Sequence, residues 1–172
     1  KIKKKKIFLK GKKPKGFILE DLLKNYCTSL VTLVIRKYFL DKYQPPFNSK
    51  FNIIGDFDLM IKMSTKYKFD CVEAPIAFYR IHDKNESLVN KSIHIEELKI
   101  WQKKMINYPK VSHSKNFFNI NNMINNLEIA NFILNKDFEK AKLKIKEMPF
   151  SLKKIKYFVS LFLPHNFVKK FI

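Results

Sequence analysis

The sequence predicts an α/β fold, here in the α+β form of a partial sheet with flanking helices followed by a mostly helical region. Three observations lead to this prediction. Residues 29–35 form an apolar run rich in β-branched side chains, as in a strand. Residues 68–82 have the composition of two short strands separated by Pro75. From residue 92 onward, apolar residues recur at helical spacing.

The N-terminal part of the chain holds short predicted elements. Residues 1–16 form a lysine-rich segment with a strand candidate at 7–9, punctuated by glycine and proline. Residues 17–26 place phenylalanine and leucine at helical spacing. The run 29–43 begins as a strand and changes toward a helical pattern. Residues 44–51 form a loop, because two consecutive prolines prevent regular pairing.

The middle of the chain predicts a helix over 56–67. Phe57, Met60 and Ile61 fall on one face of this helix, with lysines on the other. The two strand candidates that follow it end in a polar turn at 83–88. This order, strand then loop, helix and strands, is what predicts a small sheet.

The C-terminal half predicts helices throughout. Asn135 ends one helix and Asp137 caps the next, which gives a helical hairpin. Residues 151–172 mix lysine with aromatic and aliphatic residues and are too short to span a bilayer. This tail could lie in a membrane interface with its lysines toward anionic headgroups, and a terminal helix docked on the domain explains it equally well.

The net charge of the chain is strongly positive. Its 172 residues carry a formal charge of +20, and Arg36 and Arg80 are the only arginines. A basic chain can bind nucleic acid or an anionic membrane. However, base and phosphate recognition relies on the forked guanidinium group, which lysine cannot imitate. We therefore expect no specific nucleic-acid partner, and a general bias toward Lys, Asn and Ile explains the charge more simply.

The two cysteines exclude some small-domain classes. Cys27 and Cys71 show no CxxC spacing, which excludes a zinc ribbon and gives no sign of a disulfide scaffold. A reducing, cytoplasmic setting fits this usage.

Polar residues stand out at two junctions. Asp56 and Asp58 lie where the 56–67 helix begins, and Arg80 and His82 lie where the last strand candidate ends. Asp is a favoured helix cap, so a capping role explains Asp56 without any chemistry. Arg80 and His82 alternate along one strand and would face the same side, or they are solvated at an exposed strand end.

The three stretches "TLVIRKYFLDKY", "FNIIGDFDLMIKM" and "APIAFYRIHDKNESL", in this order, resemble the C-terminal, acceptor-side half of the family 2 glycosyltransferases, which have the GT-A fold. In that family an Asp precedes x-D-L-x-x-R-L, and a later strand carries P-x-x-x-Y-R-x-H. The match covers roughly residues 28–90. The resemblance implies a partial GT-A-like sheet within 1–91 and a helical C-terminal extension with an amphipathic tail over 92–172.

The resemblance also implies roles for individual residues. Asp56 occupies the position of the general base, which takes the proton of an acceptor hydroxyl as it attacks the anomeric carbon of a nucleotide sugar, with inversion. Gly55 stands where many relatives have Glu, and Asp58 would support the helix start. Arg80 and His82 would face the donor diphosphate and a divalent metal, Mg²⁺ or Mn²⁺, with His82 as a metal ligand.

The metal-binding Asp-x-Asp of this family is not identified with Asp56 and Asp58. The residues that precede Asp56 are lysine-rich and lack the alternating apolar strands and helices of a nucleotide-binding half. We therefore expect that half, with its Asp-x-Asp ligands, to be missing from this chain. On this interpretation the 172-residue chain alone does not transfer sugar.

The resulting functional expectation is a glycosyltransferase of surface-polysaccharide or glycolipid synthesis. Its partners would be a nucleotide sugar, an acceptor glycan or lipid-linked glycan, and an anionic membrane surface. Its place would be the cytoplasm, peripheral at the inner face of the cell membrane. The alternative is a non-catalytic basic protein that binds a membrane surface or nucleic acid.

Overall fold

A computed structural model describes residues 11–80, 82, 85–164, 167 and 168, and over these residues the fold is all-α. A 3₁₀ turn at Leu30–Thr32 lies between the first two helices. The helices are α1 (Leu19–Lys24), α2 (Lys37–Leu40), α3 (Gly55–Ser64), α4 (Glu86–Val89), α5 (Lys91–Ile106), α6 (Pro109–Ser112), α7 (Asn119–Leu134), α8 (Phe138–Glu147) and α9 (Leu152–Ser160).

The predicted partial GT-A-like sheet is wrong, because the described part of the chain contains no β-strand. The run 29–35 forms the short 3₁₀ turn and extended chain, and residues 71–80 have no regular structure. An isolated antiparallel bridge joins Gly16 and Phe69, whose backbone N–H groups donate to each other's carbonyl oxygens at 2.7 and 2.8 Å. The strand candidate at 7–9 lies outside the described residues.

The missing sheet has a simple physical reason. A β-branched run becomes a strand only when a neighbouring strand satisfies its backbone N–H and C=O groups and covers one of its faces. Here Val34 is 91% exposed and Ile76 is 59% exposed. Neither segment gains the burial that would offset the entropy of ordering it. The composition of these runs showed a local preference, whereas a sheet depends on pairing between distant segments.

The helical predictions are confirmed. The helix expected over 56–67 is α3, the one expected over 17–26 is α1, and the described part of the chain after 92 is mostly helical. Asn135 is the C-cap of α7, and the side chain of Asp137 caps α8 by accepting the backbone N–H of Lys140 at 3.4 Å.

The larger hydrophobic core lies between α1, α3, α5 and the first half of α7. Its centre is Trp101 of α5, which is fully buried. The Trp101 and Phe57 rings pack edge-on, with 4.7 Å between ring centroids, and Phe57 also packs edge-on against Tyr26 at 5.1 Å. Residues from both sides of the boundary expected after residue 91 therefore share this core.

A smaller core lies between the second half of α7, α8 and α9. The Tyr157 hydroxyl of α9 donates to the Asn126 carbonyl of α7 at 3.3 Å. Among the described residues, no helix combines the length and the apolar character needed to cross a lipid bilayer. The buried members of this smaller core are Ile129, Ile133, Ala141, Ile145, Tyr157 and Val168.

A buried carboxylate connects three helices. Glu128 of α7 pairs with Lys99 of α5 and, at 2.8 Å, with Lys144 of α8. Burial opposes ionisation of Glu128, but hydrogen bonds from Lys144 and Lys99 outweigh it and hold the pKa of Glu128 below its usual value. The ionised carboxylate thus stabilises the folded state.

This ion pair predicts an acid-sensitive stability. A carboxyl group whose pKa is lower in the folded state stabilises the fold above its unfolded pKa, and this stabilisation is lost as the pH falls through the folded pKa. The free energy of unfolding, measured in urea at a series of pH values, should therefore decrease below about pH 5. In Glu128→Gln the protein should be less stable at neutral pH and its stability should vary less between about pH 5 and pH 3. An unchanged pH profile in this variant would contradict the role of Glu128.

Candidate active site

Asp56 lies in the first turn of α3. The helix begins at Gly55, and the N-cap position belongs to Ile54, which makes no side-chain capping bond. The Asp56 carboxylate is half-buried, and its Oδ1 accepts the adjacent N–H of Phe57 at 2.8 Å. Asp56 therefore does not occupy the capping position considered from the sequence. A Cβ atom on Gly55 would meet Phe47 at 3.7 Å, an ordinary contact, so this position does not require glycine for space.

The start of α3 is fixed from outside by Glu97 of α5. The Glu97 side chain is buried and accepts the backbone N–H groups of Asn52, Ile53 and Ile54 at 2.7, 2.9 and 3.1 Å. These donors would otherwise be unsatisfied at the N-terminus of the helix, and a negative charge is favourable there. Glu97 was not identified from the sequence. It falls on the apolar face of α5, one turn before Trp101, and an acid in that position is a usable signal.

Asp58 also joins these two helices, but here the carboxylate belongs to α3 and its partner to α5. Its side chain is 1% exposed, and its Oδ1 accepts the indole N–H of Trp101 at 3.0 Å. Its Oδ2 pairs with Lys62, one turn later on α3, at 2.5 Å. Both oxygens of this buried carboxylate are thus satisfied, and Asp58 acts as a structural residue that attaches α3 to α5.

Three polar side chains with unsatisfied atoms belong to this part of the fold. The Tyr26 hydroxyl, the Thr28 hydroxyl and Nδ1 of His94 are buried and make no hydrogen bond of acceptable geometry within the described structure. Burial raises the pKa of Tyr26; its contact with Thr28 lowers this pKa, and the Asp56 carboxylate raises it further. Tyr26 and Asp56 therefore lie close enough to interact, and polar atoms there retain unused hydrogen-bonding capacity.

The Asp56 carboxylate also influences the pKa of His94. Burial lowers its pKa, while the carboxylates of Glu97 and Asp56 act in the opposite direction. The net shift is downward, so the imidazole is mainly neutral at pH 7. A neutral imidazole can accept one hydrogen bond and donate another, which suits contact with sugar hydroxyl groups.

Arg80 and His82 are exposed in the irregular segment after α3, so their expected alternation along a strand is wrong. The backbone N–H of His82 donates to the Asn85 side chain at 2.5 Å, and the Asn85 amide donates to the Arg80 carbonyl at 3.3 Å. Asn85 thus holds this turn, and the structure does not bring Arg80 or His82 into contact with Asp56.

The expected divalent metal finds no set of ligands in the described part of the chain. No cluster there brings together three or more His, Cys, Asp or Glu side chains in a position to hold an ion. Asp83 and Lys84, which follow His82, lie outside the described residues, so the assignment of His82 as a metal ligand stays a prediction.

Two shallow cavities lie elsewhere, and neither is lined by Asp56, Arg80 or His82. Their volumes are about 250 and 320 Å³. The first is lined by Tyr43, Lys62, Lys104, Met105, Asn107 and Tyr108, and the second by Ser92, Ile95, Glu96, Lys99, Glu128, Asn131 and Phe132.

Comparison with known proteins gives no relative from which to transfer a function. No protein-family model matches the sequence, and no curated protein or solved structure matches it either. The functional assignment therefore depends on the motifs and the geometry of this chain.

The role of Glu97 predicts a large effect from a small substitution. In Glu97→Gln the charge is removed and one acceptor oxygen is replaced by an amide, which should lower the free energy of unfolding by about 2 kcal/mol. Urea denaturation measures this loss, and hydrogen exchange should become faster at Asn52, Ile53 and Ile54.

The adjacent Glu96 provides a matched control, because it is exposed on the same helix. Glu96→Gln should change stability by less than about 0.5 kcal/mol. Equal effects of the two substitutions would show that Glu97 does not anchor α3.

The electrostatic influence of Asp56 on His94 predicts a shift in the pKa of this histidine. Because the Asp56 carboxylate raises the pKa of His94, Asp56→Asn should lower that pKa further below its usual value. The His94 ring signals, followed by NMR across the pH range, measure it. Asp41→Asn, which removes an exposed carboxylate elsewhere, is the control and should leave the His94 titration unchanged. If the pKa of His94 were the same in Asp56→Asn as in the natural sequence, the two residues would not interact.

Proposed function

We propose that this chain is the acceptor-side part of a cytoplasmic glycosyltransferase and that Asp56 is its general base. The observation that supports the proposal is the position of Asp56, a half-buried carboxylate on an anchored helix, interacting with Tyr26 and His94. The order of the motifs around Asp56 supports it independently. The proposal does not depend on a sheet within this chain.

The chemistry requires a carboxylate that can reach an alcohol. Asp56 accepts the proton of the acceptor hydroxyl while its oxygen forms a bond to the anomeric carbon of the donor sugar. The bond from that carbon to the nucleotide diphosphate breaks at the same time, which inverts the configuration. A positioned base of this kind contributes roughly 10²–10⁴-fold to the rate.

The neighbours of Asp56 suit the binding of a sugar. The Tyr26 hydroxyl and Nδ1 of the neutral His94 ring make no hydrogen bond of good geometry in the described structure, and sugar hydroxyl groups can both donate to and accept from such atoms. Aromatic rings already lie beside the site, since Tyr26 packs on Phe57. We therefore assign Tyr26 and His94 as positioning residues for the acceptor.

Arg80 is the proposed contact on the donor side of the reaction. Arg80 could pair with a diphosphate through its forked guanidinium, and its exposure leaves it accessible to a ligand. The donor in this proposal is a nucleotide sugar and the acceptor a glycan or lipid-linked glycan of surface-polysaccharide or glycolipid synthesis.

The proposal predicts that the chain binds an acceptor saccharide through Asp56. Soluble oligosaccharides of different sugars, titrated into the labelled 172-residue chain, should shift the NMR signals of Tyr26 and His94 for at least one of them. Asp56→Asn should weaken the binding of that saccharide about tenfold, because a hydrogen bond to a charged acceptor is worth about 1.5–3 kcal/mol.

Asp41→Asn is again the control, and it should leave the dissociation constant unchanged. A second variant, Tyr26→Phe, retains the ring that packs on Phe57 and removes only the hydroxyl. It should weaken binding about fivefold. If no saccharide perturbs Tyr26 and His94, or if Asp56→Asn binds as tightly as the natural sequence, the proposed function is wrong.

A further inference from the structure

The helix α9 and the turn after it expose an unusual number of large apolar side chains. Leu152 is 87% exposed, Phe158 is 55% exposed and Phe162 is 73% exposed. With 100° between successive residues, these side chains fall on one face of the helix together with Ile155 and Val159. We call the set Leu152, Ile155, Phe158, Val159 and Phe162 the outer face of α9.

The opposite side of α9 is packed in the smaller core, which fixes the position of the outer face. Tyr157 and Ser160 lie on the opposite side of α9 and are buried in the smaller core. Ser151 caps the helix by accepting the backbone N–H of Lys154 at 3.2 Å. A helix that is apolar on two sides normally buries both of them, and here one side remains in contact with water.

The charged side chains of α9 itself are all positive. Glu147 is the last acidic residue of the sequence, so none occurs within α9 or after it. At 100° per residue, Lys156 lies beside one edge of the outer face and Lys154 beside the other. The Lys154 ammonium donates to the carbonyl oxygens of Lys146 and Met148 at 3.0 and 2.5 Å, which fixes its charge near the start of α9.

We propose that the outer face of α9 docks on an anionic lipid bilayer surface, with the helix lying in the plane of the interface. Phe158 and Phe162, which pack edge-on with 5.4 Å between ring centroids, enter the boundary between headgroups and acyl chains. The positive charge of the lysines beside the outer face attracts acidic headgroups, and a lysine near such a surface contributes about 1 kcal/mol. Apolar insertion and charge attraction thus act on the same helix.

Charge complementarity selects this occupant over two others. A second copy of the chain, which carries the same net charge of +20, would bring lysines against lysines around the outer face. A nucleic acid would leave Phe158 and Leu152 against a polar phosphate backbone. An anionic bilayer offers apolar acyl chains to the outer face of α9 and acidic headgroups to the lysines beside it.

Vesicle flotation tests the proposal with the complete chain. The natural sequence should float with vesicles of phosphatidylcholine mixed with phosphatidylserine, and much less with vesicles of phosphatidylcholine alone. Adding salt should weaken binding to the mixed vesicles. The double variant Phe158→Ser/Phe162→Ser should bind them at least tenfold more weakly, because burial of each phenylalanine contributes about 1.5–3 kcal/mol.

A matched control removes two exposed phenylalanines from other places. Phe17 and Phe118 are 63% and 70% exposed, and Phe17→Ser/Phe118→Ser should bind as the natural sequence does. A second variant, Lys154→Gln/Lys156→Gln, removes the two lysines beside the outer face and leaves its apolar residues intact. It should lose at least about tenfold in binding to the mixed vesicles only, with circular dichroism showing that it is folded. Asp56→Asn should have no effect, which separates this proposal from the proposed function.

Three outcomes would overturn the proposal. One is vesicle binding that is unchanged in the Phe158→Ser/Phe162→Ser variant, provided that circular dichroism shows the variant folded. Another is equal binding to neutral and anionic vesicles. The third is a dimer in analytical ultracentrifugation that the same variant dissociates, without vesicle binding by the natural sequence, which would make a second copy the occupant.

Discussion

The pair of carboxylates that joins α3 to α5 is the constraint on which the rest of the larger core depends. Glu97 of α5 holds the backbone at the start of α3, and Asp58 of α3 holds the indole of Trp101 on α5. Burying an ionised carboxylate is costly unless its oxygens are satisfied, and here each oxygen has a partner. The same contacts therefore fix the start of α3, the position of its axis and the orientation of the central tryptophan.

The contacts of Glu97 and Asp58, which we call the α3–α5 clamp, show how a small helical chain can hold the Asp56 side chain in a fixed position. Asp56 lies two residues before Asp58 on α3, and His94 lies three residues before Glu97 on α5. Each of these two candidate-site residues is therefore next to one carboxylate of the α3–α5 clamp. Groups held on rigid helices keep their relative geometry better than groups on loops. Arg80 and His82 lack such support, because a turn tied by Asn85 carries them at the surface.

The sequence predicted those features that depend on neighbouring residues. Helical spacing predicted α1, α3 and the helices after residue 92, and the Asp137 cap followed from its position between two helices. The sheet could not be predicted reliably, because β-branched composition does not show whether a pairing partner exists. Glu97 was missed for a related reason. Its place on the apolar face of α5 marks it as a buried acid, but the groups that it binds lie 43 to 45 residues away, and no local pattern identifies them.

The long helix α7 connects the two proposals structurally. Its first half contributes Ile120 and Ile124 to the core beneath Asp56, and its second half contributes Ile129 and Ile133 to the core beneath α9. Glu128 reinforces the junction, since it pairs with lysines from α5 and α8. Because one continuous helix belongs to both cores, the outer face of α9 and the carboxylate of Asp56 keep a fixed relation. Under the two proposals, a bilayer bound at α9 would set the orientation in which an acceptor reaches Asp56.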